Sequence, residues 1–418
     1  MEESRRTEQV VFLQKLKRLI VSFVCCLPMS LLGLLIMLLL IYNSFSVFSL
    51  YLDPIPPIKP TPSLYQHQVL HHHHPSISLP STETLTSSSK SDSSLLLAVK
   101  ETSSGLVQKP KGKSRESFKT RIKSFLSKSS CESLFFMTWI SSIESFGDRE
   151  WFTIESLFKS HPNSCLILVS NSFDCERGTL ILKPFTDKGL KVLAIKPDFT
   201  YIFKNTSAEK WYERLKKRMF SPGVIPLEQN LSNLLRLVLL YKYGGIYLDT
   251  DFIVLKSLTN LHNVIGAQAV DVVTRKWSRL NNAVLIFDKN HPLLEKFINE
   301  FSRTFNGNRW GHNGPYLVSR VVARFNTSSS DLGFSVLPPS AFYPVDWTKI
   351  SRFYRASANE SEVNWSRKRL MHLRKHSFAV HLWNRESKKL RIEEGGIIHQ
   401  LMSDSCIFCN SSSLHSTY

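Results

Sequence analysis

No charged residue occurs between Leu19 and Leu52. That absence excludes an ordinary amphipathic helix, which needs a polar stripe to face water. The densest apolar part runs from Leu19 to Tyr42 and is 24 residues long. A cleaved signal peptide has an apolar region of only about 7–15 residues, whereas a helix spanning a bilayer needs about 20. Residues 19–42 are therefore read as a transmembrane signal-anchor, at most kinked by Pro28. Basic residues are also missing after the span until Lys59, while Arg5, Arg6, Lys15, Lys17 and Arg18 precede it. The positive-inside rule then makes residues 1–18 a cytosolic tail and everything after the span lumenal, a single-pass type II arrangement.

Three further absences narrow the field. The chain carries a net charge of +19, yet residues 131–418 hold 37 basic and 26 acidic side chains with no dense arginine or lysine block. Nucleic acid is thereby disfavoured as a partner, and an anionic small molecule or membrane surface is favoured. No internal repeat is present, which argues against solenoids and propellers. No second Cys/His pair stands near Cys406-x-x-Cys409, so a zinc site is disfavoured and a disulfide or free thiol is expected. Of seven cysteines, Cys25 and Cys26 lie in the span. Cys131, Cys165, Cys175, Cys406 and Cys409 fall on the lumenal side, where disulfides persist. Asn-x-Ser/Thr triplets at Asn205, Asn230, Asn326, Asn359, Asn364 and Asn410 agree with a lumenal setting.

Residues 43–130 read as a stem. "DPIPPIKPTP" and "STETLTSSSKSDSS" have linker composition and no sustained period. The tract His71 to His74 reads as compositional bias rather than a metal site. At Cys131 the pattern changes. Apolar runs of strand length occur at 133–141, 164–172 and 190–197, and helical spacing marks 149–162 and 211–220. A long helix is expected over 225–245, with Pro226 at its start and a glycine pair at its end. "IYLDTDFIVL" reads as a fourth strand, followed by a strand at "NNAVLIFDK", helices at "PLLEKFINEFSRTF" and "GPYLVSRVVARF", and a short strand at "FAVHLWN". This alternation predicts an α/β domain over 131–418 with a mixed, mainly parallel, Rossmann-like sheet covered on both faces.

Asp249 and Asp251 stand inside that fourth apolar run. Strand alternation puts them on one side with Thr250 opposite. Two such charges about 6 Å apart repel by roughly 3 kcal/mol at an effective dielectric near 20. A divalent cation removes the penalty, and oxygen ligands suit Mn²⁺ or Mg²⁺ bridging to a diphosphate. Isolated Asp-x-Asp usually means nothing more than a cap or a lysine partner. Here the longer string of helix, Gly-Gly, strand and Asp-x-Asp is far more specific.

"SNLLRLVLLYKYGGIYLDTDFIVLKSL" resembles the DXD region of the α-1,4-glycosyltransferases, in glycosyltransferase family 32. "FFMTWIS", "NNAVLIFDKNHPLL", "WGHNGPYLVSRV" and "AVHLWN" resemble further blocks of its plant branch, so the resemblance covers about Cys131 to Asn410. It implies a GT-A fold with a DXD half over 131–260 and a C-terminal half over 261–418. It also implies a nucleotide-sugar donor such as a UDP-sugar, a divalent metal, retention at the anomeric carbon, a glycan or glycosphingolipid acceptor, and a Golgi membrane location. By the same resemblance Asp251 ligates the metal. Asp249 contacts the ribose or donor sugar and helps orient the metal. Arg236 reaches the donor, Trp139 stacks on the base, Asn281 and Asn282 line the sugar pocket, and His381 or Asn384 completes the metal shell. Asp249, Asp251, Arg236 and Asn282 are the expected catalytic group. Asn233 stands where the family usually has aspartate, and the sequon at Asn230 is expected to be unused or to face away from the cleft. Trp139 and His381 have an ordinary reading too, as core filling and as a satisfied buried histidine.

Two rival readings exist. A haloacid-dehalogenase-type phosphatase also begins with strand and Asp-x-Asp, but at the first strand of its domain, and with Thr or Val where Ile253 stands. A non-catalytic lumenal sugar-binding scaffold with a decayed transferase fold draws on Asn233 alone.

Overall fold

The computed structural model describes residues 116–325 and 332–409. The apolar span, the tail, most of the stem, His71 to His74, Asn326 and Asn410 lie outside those residues. Among the described residues no helix is long and apolar enough to cross a membrane.

The strands, in chain order, are β1 (Leu134–Trp139), β2 (Cys165–Ser170), β3 (Lys191–Ile195), β4 (Gly245–Leu248), β5 (Phe252–Val254), β6 (Val264–Val270), β7 (Trp277–Phe287), β8 (Ser335–Leu337) and β9 (Ala379–His381). Seven of them form one sheet in the order β3-β2-β1-β4-β7-β6-β8, and β5 pairs with β9 in a second sheet. The β1–β2, β2–β3, β1–β4 and β6–β8 pairs are parallel, and β7 runs antiparallel to both its neighbours. The α/β reading holds, with the mixed character supplied by β7.

The apolar runs are continuous because both faces of the sheet are buried. Phe136, Ile167, Val169, Tyr247 and Leu285 point into one core, beneath the helices Leu227–Tyr243, Pro292–Thr304 and Pro315–Ala323. Their neighbours Phe135, Met137, Leu166, Leu168, Ile246 and Val284 point into the other, against Asp148–Ser160 and Glu176–Asp187. A third cluster gathers Val380, Leu382 and the C-terminal helix Ile397–Asp404.

Several expectations need correction. The stem ends earlier than residue 130. The helix Phe118–Lys128 buries Phe118 and Ile122 in the first core, and Arg121 pairs with Asp174 at 2.7 Å. β6 and the helix Glu360–His376 went unread, since "VIGAQAV" is too short and glycine-broken to show a period and the helix is mostly charged outside Leu370 and Leu373. Cys131–Cys165 and Cys406–Cys409 are disulfides, and Cys175 is a free exposed thiol.

The largest correction concerns the fourth strand. It breaks after Leu248. β4 ends in the main sheet, residues 249–251 bend, and β5 restarts in the second sheet. The helix Asp148–Ser160 supports the break. Thr153 Oγ1 donates to the Thr250 carbonyl at 2.9 Å and accepts from Phe252 N–H at 3.2 Å, and Ser156 Oγ accepts from Val254 N–H at 3.0 Å. These are buried backbone groups that neither sheet satisfies. Thr153→Val keeps the side chain's shape and removes both bonds, so it is expected to cost about 2–4 kcal/mol, measured as a shift in the denaturation midpoint.

Candidate active site

The helix Leu227–Tyr243 ends at Gly244, whose N–H donates to the Leu240 carbonyl at 2.7 Å. Gly244 and Gly245 have φ of +70° and +108°. A Cβ on Gly245 would lie 2.4 Å from the Leu134 carbonyl oxygen, so only glycine lets β4 start against β1. This reversal lays Arg236, on the helix, beside Asp249 at the end of β4.

Arg236 is 5% exposed, and its guanidinium makes four hydrogen bonds within the protein and an ion pair to Asp249. Nη1 donates to Asp249 Oδ2 at 3.2 Å and to the Asn282 carbonyl at 2.8 Å. Nη2 lies 3.0 Å from Asp249 Oδ1 and 3.1 Å from Ser232 Oγ, and Nε donates to the Ser232 carbonyl at 3.2 Å. Its guanidinium carbon sits 4.5 Å from the centre of the Tyr247 ring. Tyr247 in turn donates to Asp249 Oδ1 at 2.7 Å and bonds Thr138 Oγ1 at 2.8 Å. The guanidinium expected to reach a ligand is thus spent on holding Asp249.

Asp251 is held from the other side. β9 pairs with β5 in the register Phe252↔His381, which sets His381 Nε2 3.2 Å from Asp251 Oδ1. Trp383 then adopts a left-handed backbone, φ 55° and ψ 56°, unusual for so large a residue. That turn aims the Asn384 N–H at Asp251 Oδ2, 3.0 Å away. The Asn384 side chain donates to Glu150 Oε1 at 2.8 Å and leaves its own Oδ1 without a partner.

The electrostatics separate the two carboxylates. Burial pushes the Asp249 carboxyl above its ordinary range despite Arg236, with Asp251 adding to the push. Burial acts on Asp251 too, but the His381 imidazole and the Asn384 N–H outweigh it and hold Asp251 below its ordinary range. One member of the pair therefore stays a carboxylate most readily, as expected of a ligand.

Asp249, Asp251 and His381 offer ligand atoms all within 4.8 Å of one another. Two ligands of one ion, about 2.1 Å from it at right angles, stand about 3 Å apart. The 3.2 Å between Asp251 and His381 fits that separation. The donor set of two carboxylates and an imidazole fits a divalent cation, and the nitrogen favours Mn²⁺ over Mg²⁺. The cluster of Glu155, Cys406 and Cys409 fits none, since both sulfurs are in a disulfide.

Two cavities meet at these carboxylates, and Gln229, Asn384 and Arg385 also line both. The larger, about 850 Å³, opens between Trp139, Ser142, Asn171 and Lys388. The smaller, about 500 Å³, is walled by Asn233, Arg236, Asn281 and Asn282. Of the residues singled out in the sequence, Trp139 lies in the first, and the helix and asparagine residues lie in the second. Asn282 Nδ2 donates to Asn233 Oδ1 at 2.8 Å, and Asn281 Nδ2 donates to Gln268 Oε1 at 3.0 Å. A Cβ on Gly314 would meet Asn233 Oδ1 at 2.8 Å, so that glycine is what admits the amide pair. Asn230 is 2% exposed and accepts from Asn313 Nδ2 at 2.8 Å, so its triplet is closed to modification in the fold. Glu150, Gln229, Arg385 and Lys388 were missed. The only sequence signal for the last two was their closeness to His381.

The segment that carries the site's far wall is held by an ion cluster around the buried Glu300. Glu300 accepts from Arg324 Nη1 at 2.7 Å and from Arg320 Nε at 2.6 Å, and Arg320 also donates to the His312 carbonyl at 2.8 Å. Burial raises the Glu300 carboxyl, but the Arg324 and Arg320 hydrogen bonds outweigh it and hold it below its ordinary range. The sign follows from linkage. This stability is complete above the unfolded value of about 4.3 and is lost as pH falls through the lower folded value. The Tm is expected to fall on acidification below about pH 5, and Glu300→Gln is expected to flatten that limb in a series of melts against pH.

Comparison with known proteins agrees with this geometry. Residues 286–413 match the family model described as "Alpha 1,4-glycosyltransferase conserved region". Residues 147–271 match "Glycosyltransferase sugar-binding region containing DXD motif". Lactosylceramide 4-alpha-galactosyltransferase of Mus musculus is 32% identical over 254 residues, 58% of this chain and 64% of that protein. The match thus spans less than two-thirds of the mouse protein's length. The Pongo pygmaeus protein of the same name is 36% identical over 202 residues, 47% of this chain and 84% of that one. An uncharacterized Arabidopsis thaliana protein is 30% identical over 302 residues, 70% of this chain and 45% of that one. Among solved structures, an active-site mutant of LgtC is 12% identical, with 68% of this chain and 100% of that chain covered at a TM-score of 0.36, and no weight rests on it.

Proposed function

The chain belongs to the DXD-containing α-1,4-glycosyltransferase family, and from that premise we propose that it is a metal-dependent, retaining hexosyltransferase of GT-A type. The observation that carries the reading is the meeting of two cavities at Asp249 and Asp251, with His381 beside them in the smaller one. The larger cavity suits a nucleoside, with Trp139 as a flat wall. The smaller, amide-walled cavity suits sugar, because amides both donate to and accept from hydroxyls. The diphosphate of a nucleotide-sugar would then lie at the seam. A divalent cation held by Asp251, Asp249 and His381 would supply positive charge to the departing diphosphate. Arg385 and Lys388, exposed on the same rim, are placed to add to it.

The protein's own residues do the rest. Arg236, Tyr247 and Thr138 hold Asp249 in one orientation, so no reorganisation is needed at the moment of transfer. Glu150 turns the Asn384 amide so that its free oxygen is left for a ligand. Amides outnumber carboxylates at the sugar end, where Glu386 is the one carboxylate beyond the aspartate pair, and amides position hydroxyls but form no glycosyl ester. We therefore assign a same-face displacement. The acceptor hydroxyl oxygen bonds to the anomeric carbon, the bond to the diphosphate oxygen breaks, and that oxygen takes the hydroxyl proton. Capture of a glycosyl-enzyme adduct would refute this assignment.

The relatives' name points to galactose as the transferred sugar and lactosylceramide as acceptor, a UDP-sugar is the donor we assign, and the uncharged run of residues 19–52 supports a type II protein of the Golgi membrane. Asn233 does not favour the decayed scaffold, because its amide completes the Asn282 contact. The test is a screen of UDP- and GDP-sugars for nucleotide release by the full chain in nanodiscs, with mixed glycan and glycolipid acceptors. Release with one donor, abolished by EDTA and restored by Mn²⁺, is expected. Donor binding without release under every condition would instead favour the scaffold.

A further inference from the structure

Large aromatic side chains usually bury themselves, yet three that do not are gathered at one place. Trp310, Tyr316 and Trp347 are 47%, 45% and 43% exposed, and all three line the smaller cavity. They come from separate segments. Trp310 and Tyr316 flank the start of the helix Pro315–Ala323, and Trp347 begins a 3₁₀ turn 30 residues or so further on. The half-buried Trp383 joins them from the end of β9. Convergence from unrelated segments on a concave wall is not what scattered surface aromatics show.

The aromatics are also held in place. Asn313 is 3% exposed and ties the Trp310 loop to Asn230 Oδ1 and to the Asn306 carbonyl, at 2.8 and 2.9 Å. Arg385 lies 3.9 Å from the Trp310 ring centre, and Arg279 lies 4.9 Å from that of Tyr316. Trp383 Nε1 donates to the Val345 carbonyl at 2.9 Å, two residues before Trp347. The same cavity is lined by the amides of Gln268 and Asn281, which donate and accept.

We propose that Trp310 and Trp347, with Tyr316 beside them, form the platform on which a pyranose ring of the acceptor lies. A pyranose has C–H faces, which favour an aromatic plane, and a hydroxyl rim, which favours amides. The cavity of about 500 Å³ offers both and opens onto the carboxylates, so an acceptor ring on the aromatics would lie beside a donor sugar at Asn233 and Asn282. Ligand cavities run from about 300 to 1,000 Å³. The assignment rests on the transferase reading for the word acceptor, but the binding itself requires no turnover. Arg385 lines both cavities and touches Trp310, so it links the sugar platform to the diphosphate seam.

The test is saturation-transfer NMR on the full chain in nanodiscs, with lactose and cellobiose as probes and with UDP and Mn²⁺ present. Saturation of ring protons is expected for at least one disaccharide. Trp310→Ala and Trp347→Ala are each expected to weaken that binding about five- to tenfold, and Trp310→Phe to retain most of it. Calorimetric UDP affinity is the reference, expected to move less than twofold. Absence of disaccharide binding to the wild type, undiminished binding by both alanine variants, or an equal loss of UDP affinity would each overturn the platform. Nucleotide release from no donor, with disaccharide binding present and lost in Trp310→Ala, would overturn the transferase reading and leave the platform standing.

Discussion

Arg236→Met is expected to cost about 3 kcal/mol of stability, the lower end for a broken buried pair, because it leaves the half-buried Asp249 carboxylate with no opposing charge. Methionine fills most of the space over the Tyr247 ring, so little of the loss comes from a cavity. At about 2–4 °C per kcal/mol for a domain somewhat smaller than this one, the Tm should fall by roughly 6–12 °C. The double variant Arg236→Met/Asp249→Asn removes both charges and is expected to recover most of that loss without recovering nucleotide release. The double-mutant cycle isolates the coupling between the two groups. A contrary result is equally informative. If Arg236→Met melts like the wild type but raises the donor KM, then the guanidinium touches the donor, as the family resemblance implies, and its commitment to Asp249, Asn282 and Ser232 is loose.

Asp251→Ala is expected to lower nucleotide release at least 10²- to 10³-fold, the usual scale for removing a group that stabilises developing charge. Its stability effect should be small. The variant loses bonds to His381 and Asn384 but also relieves the repulsion from Asp249, which is about 3 kcal/mol at an effective dielectric near 20 for groups within 4.8 Å. The diagnostic is the response to metal. Saturating Mn²⁺ at a hundredfold over its Kd should stabilise the wild type by about 2.7 kcal/mol and the variant hardly at all. An equal Tm rise in both proteins would place the ion elsewhere. Undiminished release by the variant would end the role assigned to Asp251.

The two variants separate functions that a sequence motif merges. Both aspartates belong to one Asp-x-Asp string, yet one is held by a buried arginine and the other by a histidine from a remote strand. Asp249 is fixed by what surrounds it, so its removal should be felt as a change in the shape of the site as well as the loss of one ligand. Asp251 retains unused lone pairs toward the seam of the cavities, and its removal should be felt as a loss of metal.

The sequence by itself determined whatever is local. The apolar runs of β1, β2 and β3 could only be strands buried on both faces. Pro226 and the glycine pair bounded the Leu227–Tyr243 helix, and the two carboxylates in an apolar run marked the place where the two cavities meet. Asn233, Asn281 and Asn282 could be named because they sit in recognisable blocks. The tertiary structure decided what depends on distant partners. The apolar residues Ile246 to Leu248 and Phe252 to Leu255 read as one strand, so nothing in them reveals that the strand breaks and that Thr153, about a hundred residues earlier, satisfies the break. His381 reaches Asp251 only through the β5–β9 pairing, across some 130 residues. Arg236 carries the same charge in the sequence whether it faces a phosphate or an aspartate; the 3.0 Å to Asp249 settles where it points. The aromatic wall is assembled from three segments with no common motif. The physical reason is the same in each case: propensity and periodicity act over a few residues, whereas charge pairing, strand partners and cavities are properties of which parts of the chain are brought together.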